Sequence, residues 1–328
     1  MQRAGGSGRG AGRAAVNIAD TMNSGQVFLW RSVQKKGRGL WWYGVQGQET
    51  LRVDGDTGRT STYRKGGKWS AYKKDLFRDS DNPGRIPESM PQDDVTAEAA
   101  RRYRDLRIIR QDPYQCMVSF ITSANSNIRR ITGNLSRMAE TFGRPVDVGG
   151  GAGTMHLFPA ASALAGATIR EIRECGVGYR AAYIKEASEM VESGEIDFGR
   201  IREMKDYGDM MDAMLAIPGV GNKVADCIML FSLERLDAFP LDRWMLRVLG
   251  TRYGDVFGSR GSHAVSSAPS SAPSSSSPPS PLEHLTDKRY RAAHDKIAEY
   301  FGPYAGYAQQ WLFKMARDDA GASWRQKM

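Results

Sequence analysis

The sequence predicts an α+β protein, mainly helical, with a small antiparallel β domain at its N-terminal end. Three observations carry that prediction. Runs of aromatic and β-branched residues broken by glycines fill the early part of the chain, a helical period replaces them near Asp94, and a Pro-Gly-Val-Gly turn joins two apolar-periodic segments into a helix-hairpin-helix. The chain has 328 residues, 41% of them hydrophobic, which is enough for two domains and a substantial core.

Residues 1–15 carry Arg3, Arg9 and Arg13, with no acid before Asp20, and read as a disordered basic tail. Residues 16–95 are expected to form the β domain, its strand character running from about Val16 to Tyr72 and clearest in Gly25 to Trp30 and Leu40 to Val45. The helical core is expected over 96–258 and 282–320. Its helices are read at Ala97 to Ile109, Pro113 to Thr122 with Asp112 as N-cap, Ile128 to Phe142 and Tyr179 to Val191. Further on come Tyr207 to Ala216, Asn222 to Leu233, Arg243 to Tyr253, Lys288 to Phe301 and Ala305 to Ala316. Gly149 to Gly153 reads as a short flexible loop. Residues 259–281 are almost all Ser, Pro, Ala and Gly, too poor in apolar groups to offset chain ordering, and are expected to be a disordered insertion.

Forty-six Lys+Arg against 37 Asp+Glu leave a formal charge of +9, which suits a polyanionic partner without choosing between DNA, RNA and a membrane surface. No apolar run approaches the roughly 20 residues that span a bilayer. Cys116, Cys175 and Cys227 are scattered, so neither a disulfide framework nor a four-thiolate cluster is expected.

The turn Ile217-Pro218-Gly219-Val220-Gly221 points its backbone amides outward, and amides at a helix N-terminus attract phosphate through their summed dipoles. Lys223 falls in the first turn of the following helix. That position and partial burial should disfavour its ammonium form and leave a nucleophilic amine, with Asp242, nineteen residues on, supplying the paired negative charge. Taken singly, Lys223 reads as a solvated helix lysine and Asp242 as an N-cap for the helix beginning at Arg243. Together with the hairpin, Gly219-Val220-Gly221-Asn222-Lys223-Val224-Ala225-Asp226-Cys227 and Pro240-Leu241-Asp242 resemble the signature of helix-hairpin-helix base-excision glycosylases. Within them the chain looks most like the 8-oxoguanine DNA glycosylase/lyases. The lack of clustered cysteines argues against the endonuclease III branch.

The resemblance implies further site residues. Gln111 to Gly133 is similar to the segment that fills the gap left by a flipped base, which implies that Asn125 enters the stack and that Arg130, with Arg180, meets the orphaned cytosine. Gly178-Tyr179-Arg180-Ala181 matches the motif whose tyrosine wedges between bases, which would help hold an unstacked state costing a few kcal/mol. Cys227, one turn beyond Lys223, and Phe313 would sandwich the lesion. Gln309, in Gly302 to Gln309, would read its Watson–Crick edge. The carbonyl of Gly25 would accept the N7 hydrogen that 8-oxoguanine has and guanine lacks. Read without the family, Cys227 and Phe313 are ordinary core and the polar residues near Asn125 are helix caps. Three departures stand out: Ser126 replaces the middle of three asparagines, Arg243-Trp244 follows Asp242 where an aliphatic residue and histidine are usual, and little chain precedes Gly25, as if the first strand were shortened or the sequence incomplete.

The implied activity is excision of 8-oxoguanine paired with cytosine, with Lys223 as the Schiff-base nucleophile and Asp242 as its electrostatic and acid-base partner, followed by β-elimination. No cofactor is expected beyond a monovalent cation that the hairpin carbonyls could hold, as in relatives. The expected partner is damaged double-stranded DNA, bound by a monomer with no membrane attachment, in the nucleus or else a mitochondrion or plastid. A monofunctional alkylated-base glycosylase would keep Asp242 without needing an amine at Lys223. A noncatalytic helix-hairpin-helix module would need neither.

Overall fold

Alternating apolar residues in the early chain build a five-stranded antiparallel meander: β1 (Trp30–Gln34), β2 (Leu40–Gln46), β3 (Glu49–Asp54), β4 (Thr60–Arg64) and β5 (Lys68–Ala71). The computed structural model describes residues 16–64, 66–257 and 286–325. The basic tail, the Ser/Pro insertion and the compartment inferred from them lie outside those residues. Because side chains alternate along a strand, Trp42, Leu51 and Val53 share one face, packing with Ile18, Met22, Val27, Leu76, Phe77 and Ile109. Tyr43 and Val45 point the other way, into the main helical core. Both faces of the sheet are therefore covered.

Two parts of the early chain are not strand. Ile18–Met22 forms a short helix, α1, capped by Asn17, and pairing begins only at Trp30, so the expected strand from Gly25 is a loop up to that point. The reason is Gln26. Its buried amide accepts from Ile109 N–H at 2.7 Å and donates to the Arg107 carbonyl at 2.8 Å, so a side chain does the work of a neighbouring strand. The same bonds explain why α2 (Asp94–Tyr103) stops short of the expected Ile109. Leu106, Ile108 and Ile109 are fully buried in irregular chain where the Arg107 amide donates to Thr21 and the Ile109 amide to Gln26 in place of a helical ladder.

The remaining helices follow their caps. α3 (Pro113–Ser123) starts at Asp112, whose carboxylate accepts from Gln115 N–H at 2.8 Å, and α4 (Ile128–Phe142) starts at Asn127. The expected loop at Gly149 to Gly153 is a 3-10 turn over Gly150–Ala152 closing a hairpin of β6 (Pro145–Asp147) and β7 (Thr154–His156), with Ala152 buried. Next come α5 (Ala161–Gly166), α6 (Ile169–Ile172), α7 (Arg180–Glu192), α8 (Phe198–Glu203), α9 (Tyr207–Leu215), α10 (Asn222–Ser232), α11 (Arg243–Arg252) and α12 (Gly254–Phe257). The chain closes with α13 (Asp287–Phe301) and α14 (Ala305–Arg325), the latter extending nine residues past the expected Ala316. A charged junction ties sheet to helices: Arg78, fully buried, meets Glu234 at 2.6 Å, and Arg110 bridges Asp75 at 2.7 Å and Glu234 at 3.1 Å.

Candidate active site

The hairpin between α9 and α10 is shaped by glycine where no other residue fits. Gly219 has φ +79°, and a β carbon there would lie 2.7 Å from the Tyr183 side chain. Val220 is buried, and Gly221 serves as N-cap of α10 with no side chain bonding the first amides of that helix. Those amides, with the positive end of the helix dipole, form an anion-binding edge. Asn222 braces the edge from behind, donating to Asp287 of α13 at 2.7 Å.

Lys223 is half-buried in the first turn of α10, its Nζ 5.2 Å from the centre of the Phe120 ring. The Cys227 thiol lies one turn along the same helix. Burial pushes the Cys227 thiol up to about 12, the charge of Lys223 opposing the shift, so the sulfur is a neutral contact surface. Asp242 faces the same space. Burial raises its carboxyl above the usual carboxylate range, while the Met245 N–H bond, the charge of Lys223, the Trp244 N–H and Arg317 pull it back. Asp242 does also cap α11, accepting from Met245 N–H at 2.9 Å. The cap fixes the carboxylate, so the structural and chemical roles coincide.

Behind this pair lies a support that sequence reading missed. Asp226 is completely buried and accepts from Tyr290 at 2.5 Å and Tyr207 at 2.8 Å. The Tyr290 oxygen also accepts from Leu241 N–H at 3.2 Å, the residue before Asp242. One carboxyl thus joins α10, α9 and α13 to the Asp242 loop. Burial lifts it to about 7, against the two tyrosine hydrogen bonds. Its only sequence signal is an acid at an apolar-face position of α10.

Two of the expected pocket residues, Gly25 and Phe313, meet from segments nearly three hundred residues apart. Gly25, with φ +89°, sits where a β carbon would lie 3.3 Å from Phe313 and 3.2 Å from both Ile128 and Arg317. The Gln26 bonds described above hold Gly25 there. Gln309 is buried, donating to the Pro240 carbonyl at 3.4 Å and accepting from Gln310 at 2.7 Å, so its amide is engaged beside the Asp242 loop. Arg317 was not among the expected residues. It was legible, since Gln309, Phe313 and Arg317 recur every four residues and share one face of α14.

The expected wedge and orphan-base residues form a more open face. Asn125 is exposed with φ +47°, a left-handed conformation that asparagine tolerates better than most side chains. Arg130 is exposed on the first turn of α4, and Tyr179 is 58% exposed, with the Arg180 guanidinium 4.6 Å from its ring. Arg180 itself is buried, donating to the carbonyls of Val177 and Ala124. It therefore fastens the Tyr179 turn to the Asn125 loop.

These features define a class: a helix-hairpin-helix glycosylase fold with a lysine, a buried thiol and a raised carboxyl at the hairpin. Residues 118–255 match the family model of the HhH-GPD superfamily of base excision DNA repair proteins. A probable N-glycosylase/DNA lyase of Methanothermobacter thermautotrophicus is 35% identical over 166 residues, 44% of this chain and 52% of that protein. The N-glycosylase/DNA lyase OGG1 of Arabidopsis thaliana is 30% identical over 221 residues, 66% of this chain and 53% of its own length. The chain thus spans about half the length of the curated relatives it matches. Among solved structures, MBOgg1 in complex with a low affinity DNA ligand superposes with TM-score 0.72 at 27% identity, over 94% of this chain and 95% of that one. The Clostridium acetobutylicum 8-oxoguanine glycosylase/lyase, bound to DNA with cytosine opposite the lesion, gives TM-score 0.71 at 25% identity, over 93% of both chains.

Proposed function

We propose that the protein is a base-excision DNA glycosylase and abasic-site lyase that flips 8-oxoguanine, paired with cytosine, out of duplex DNA and removes it. The observation that carries this reading is that Lys223 acts on both Cys227 and Asp242 beside the uncapped N-terminus of α10, while Asp242 also feels the charge of Arg317, which touches Gly25 and Phe313. The hairpin amides hold a backbone phosphate, and a flipped base lies between the Cys227 thiol and the Phe313 ring. As the bond from the base nitrogen to C1′ lengthens, ionised Asp242 stabilises the cationic sugar. Lys223, its ammonium proton passed to the departing base, then bonds to C1′ through its nitrogen as the base leaves with the electron pair of the broken bond. Opening of the sugar ring gives a protonated imine. Loss of a C2′ proton expels the 3′ phosphate by β-elimination, and water releases Lys223.

Asn125 and Arg130 are suited to the vacated stack and the orphaned cytosine, with Tyr179 as the wedge. The reaction uses no step through a metal or cofactor, and a monovalent cation on the hairpin carbonyls would only stiffen the phosphate grip. Duplexes carrying 8-oxoguanine opposite each of the four bases, treated with borohydride, test the reading. A covalent adduct with the cytosine duplex, lost in Lys223→Gln, is expected. Base release without any adduct would instead identify a monofunctional enzyme.

A further inference from the structure

The Arg317 guanidinium stands where three parts of the pocket meet. Its Nη1 lies 3.2 Å from the β-carbon position of Gly25, its centre is 5.3 Å from that of the Phe313 ring, and its charge is felt by Asp242. Nη1 is buried and has no hydrogen-bond partner among the described residues. Burial lowers Arg317 from the usual guanidinium range, against the charges of Asp318 and Asp242. A buried N–H without an acceptor costs about 1–3 kcal/mol, so a ligand that supplies the acceptor gains both a bond and relief of that penalty.

The chemistry of the lesion identifies the acceptor. In 8-oxoguanine, N7 is flanked by C8, which carries the added oxygen and leads to N9 and the sugar, and by C5, which leads to O6. Placing N7 at the Gly25 carbonyl and C1′ at Asp242 puts the C8 edge between those two residues. Arg317 occupies that interval. Resting on the 8-oxoguanine reading above, we propose that Arg317 is a specificity-determining residue that donates a charge-assisted hydrogen bond to the C8 oxygen of the flipped base. The contact strengthens as the bond to C1′ breaks, because the electron pair left on N9 is shared with that oxygen through C8. The guanidinium thus selects the oxidised base and stabilises it as it leaves.

The test compares excision of 8-oxoguanine opposite cytosine, under single-turnover conditions, with cleavage of a preformed abasic site that contains no base. The variants are Arg317→Met, which keeps the stem, and Arg317→Gln, which keeps a neutral donor. The ratio of excision to abasic-site cleavage is expected to fall about 10- to 100-fold in Arg317→Met and less in Arg317→Gln, the scale of a lost charged hydrogen bond. On 8-bromoguanine, which lacks the C8 oxygen, the wild type should retain no advantage over Arg317→Met. Equal losses on both substrates, or undiminished 8-oxoguanine excision by Arg317→Met, overturn the proposal. If the wild type cleaves abasic sites but leaves 8-oxoguanine in place, it is the reading of the pocket that fails instead.

Discussion

The two sides of the proposed cleft are built on opposite plans. On the α10 side, Cys227 and Asp226 are buried, Asp242 is half-buried and fixed as a helix cap, and three helices converge on a single carboxyl behind them. On the α3–α4 side, Asn125, Arg130 and Tyr179 stand in solvent, one of them in a left-handed backbone conformation. On the proposed function the chemical half is organised before DNA arrives, because electrostatic stabilisation works best from groups that do not reorganise. The reading half must enter a base stack that exists only in the complex, and its rigidity is limited to the buried Arg180 beneath it.

Substitutions on the first side should therefore abolish chemistry and those on the second should trim it. The largest expected effect is Lys223→Gln, which should remove the borohydride adduct and lower strand cleavage by at least about three orders of magnitude in single-turnover assays. Asp242→Asn keeps a good N-cap, so α11 should survive while excision falls roughly 100- to 1000-fold. The wild-type rate should also decline on acidification from a point above the ordinary carboxylate range, since the raised carboxyl takes up its proton early.

Asp226→Asn probes the support. The folded carboxyl sits at about 7, above its unfolded value of 3.8, so the wild type loses stability as pH rises between those values and protonation at low pH restores it. Thermal melts should therefore show the asparagine variant gaining on the wild type from pH 4 to pH 8, by on the order of 4 kcal/mol. A difference that does not vary with pH would refute a buried, titrating Asp226.

On the open side, Tyr179→Ala should slow excision only about tenfold and leave the melting temperature nearly unchanged, because the ring is exposed. Smallest of all, Asn125→Gly should raise stability by up to about 1 kcal/mol, since glycine occupies φ +47° without strain, while weakening discrimination of the opposite base. A severe stability loss in either variant would erase the distinction between the two sides.

Legibility in the sequence followed the same division. Lys223, Cys227 and the hairpin lie within one short stretch whose spacing maps directly onto one helix face, and Asp242 announces itself as a cap, so the α10 side could be read from local pattern. The α3 and α4 boundaries were equally plain because Asp112 and Asn127 cap them. What could not be read was pairing at long range. Gln26 replaces a strand by bonding Arg107 and Ile109, and no periodicity signals an amide acting as backbone. The anchoring bonds of Arg180 could not be read, because its partners, the carbonyls of Val177 and Ala124, are invisible to composition. Arg317 lay in view on the Gln309–Phe313 face, but its meaning required Gly25 to arrive from the far end of the chain.

The buried guanidinium of Arg180 has one more consequence. Because it clasps the Ala124 carbonyl while stacking under the Tyr179 ring, the loop bearing Asn125 and the turn bearing Tyr179 behave as one mechanical part. Transplanting either alone into a related scaffold would leave a socket without its pin. An engineer wishing to retune the proposed opposite-base preference would have to move both together.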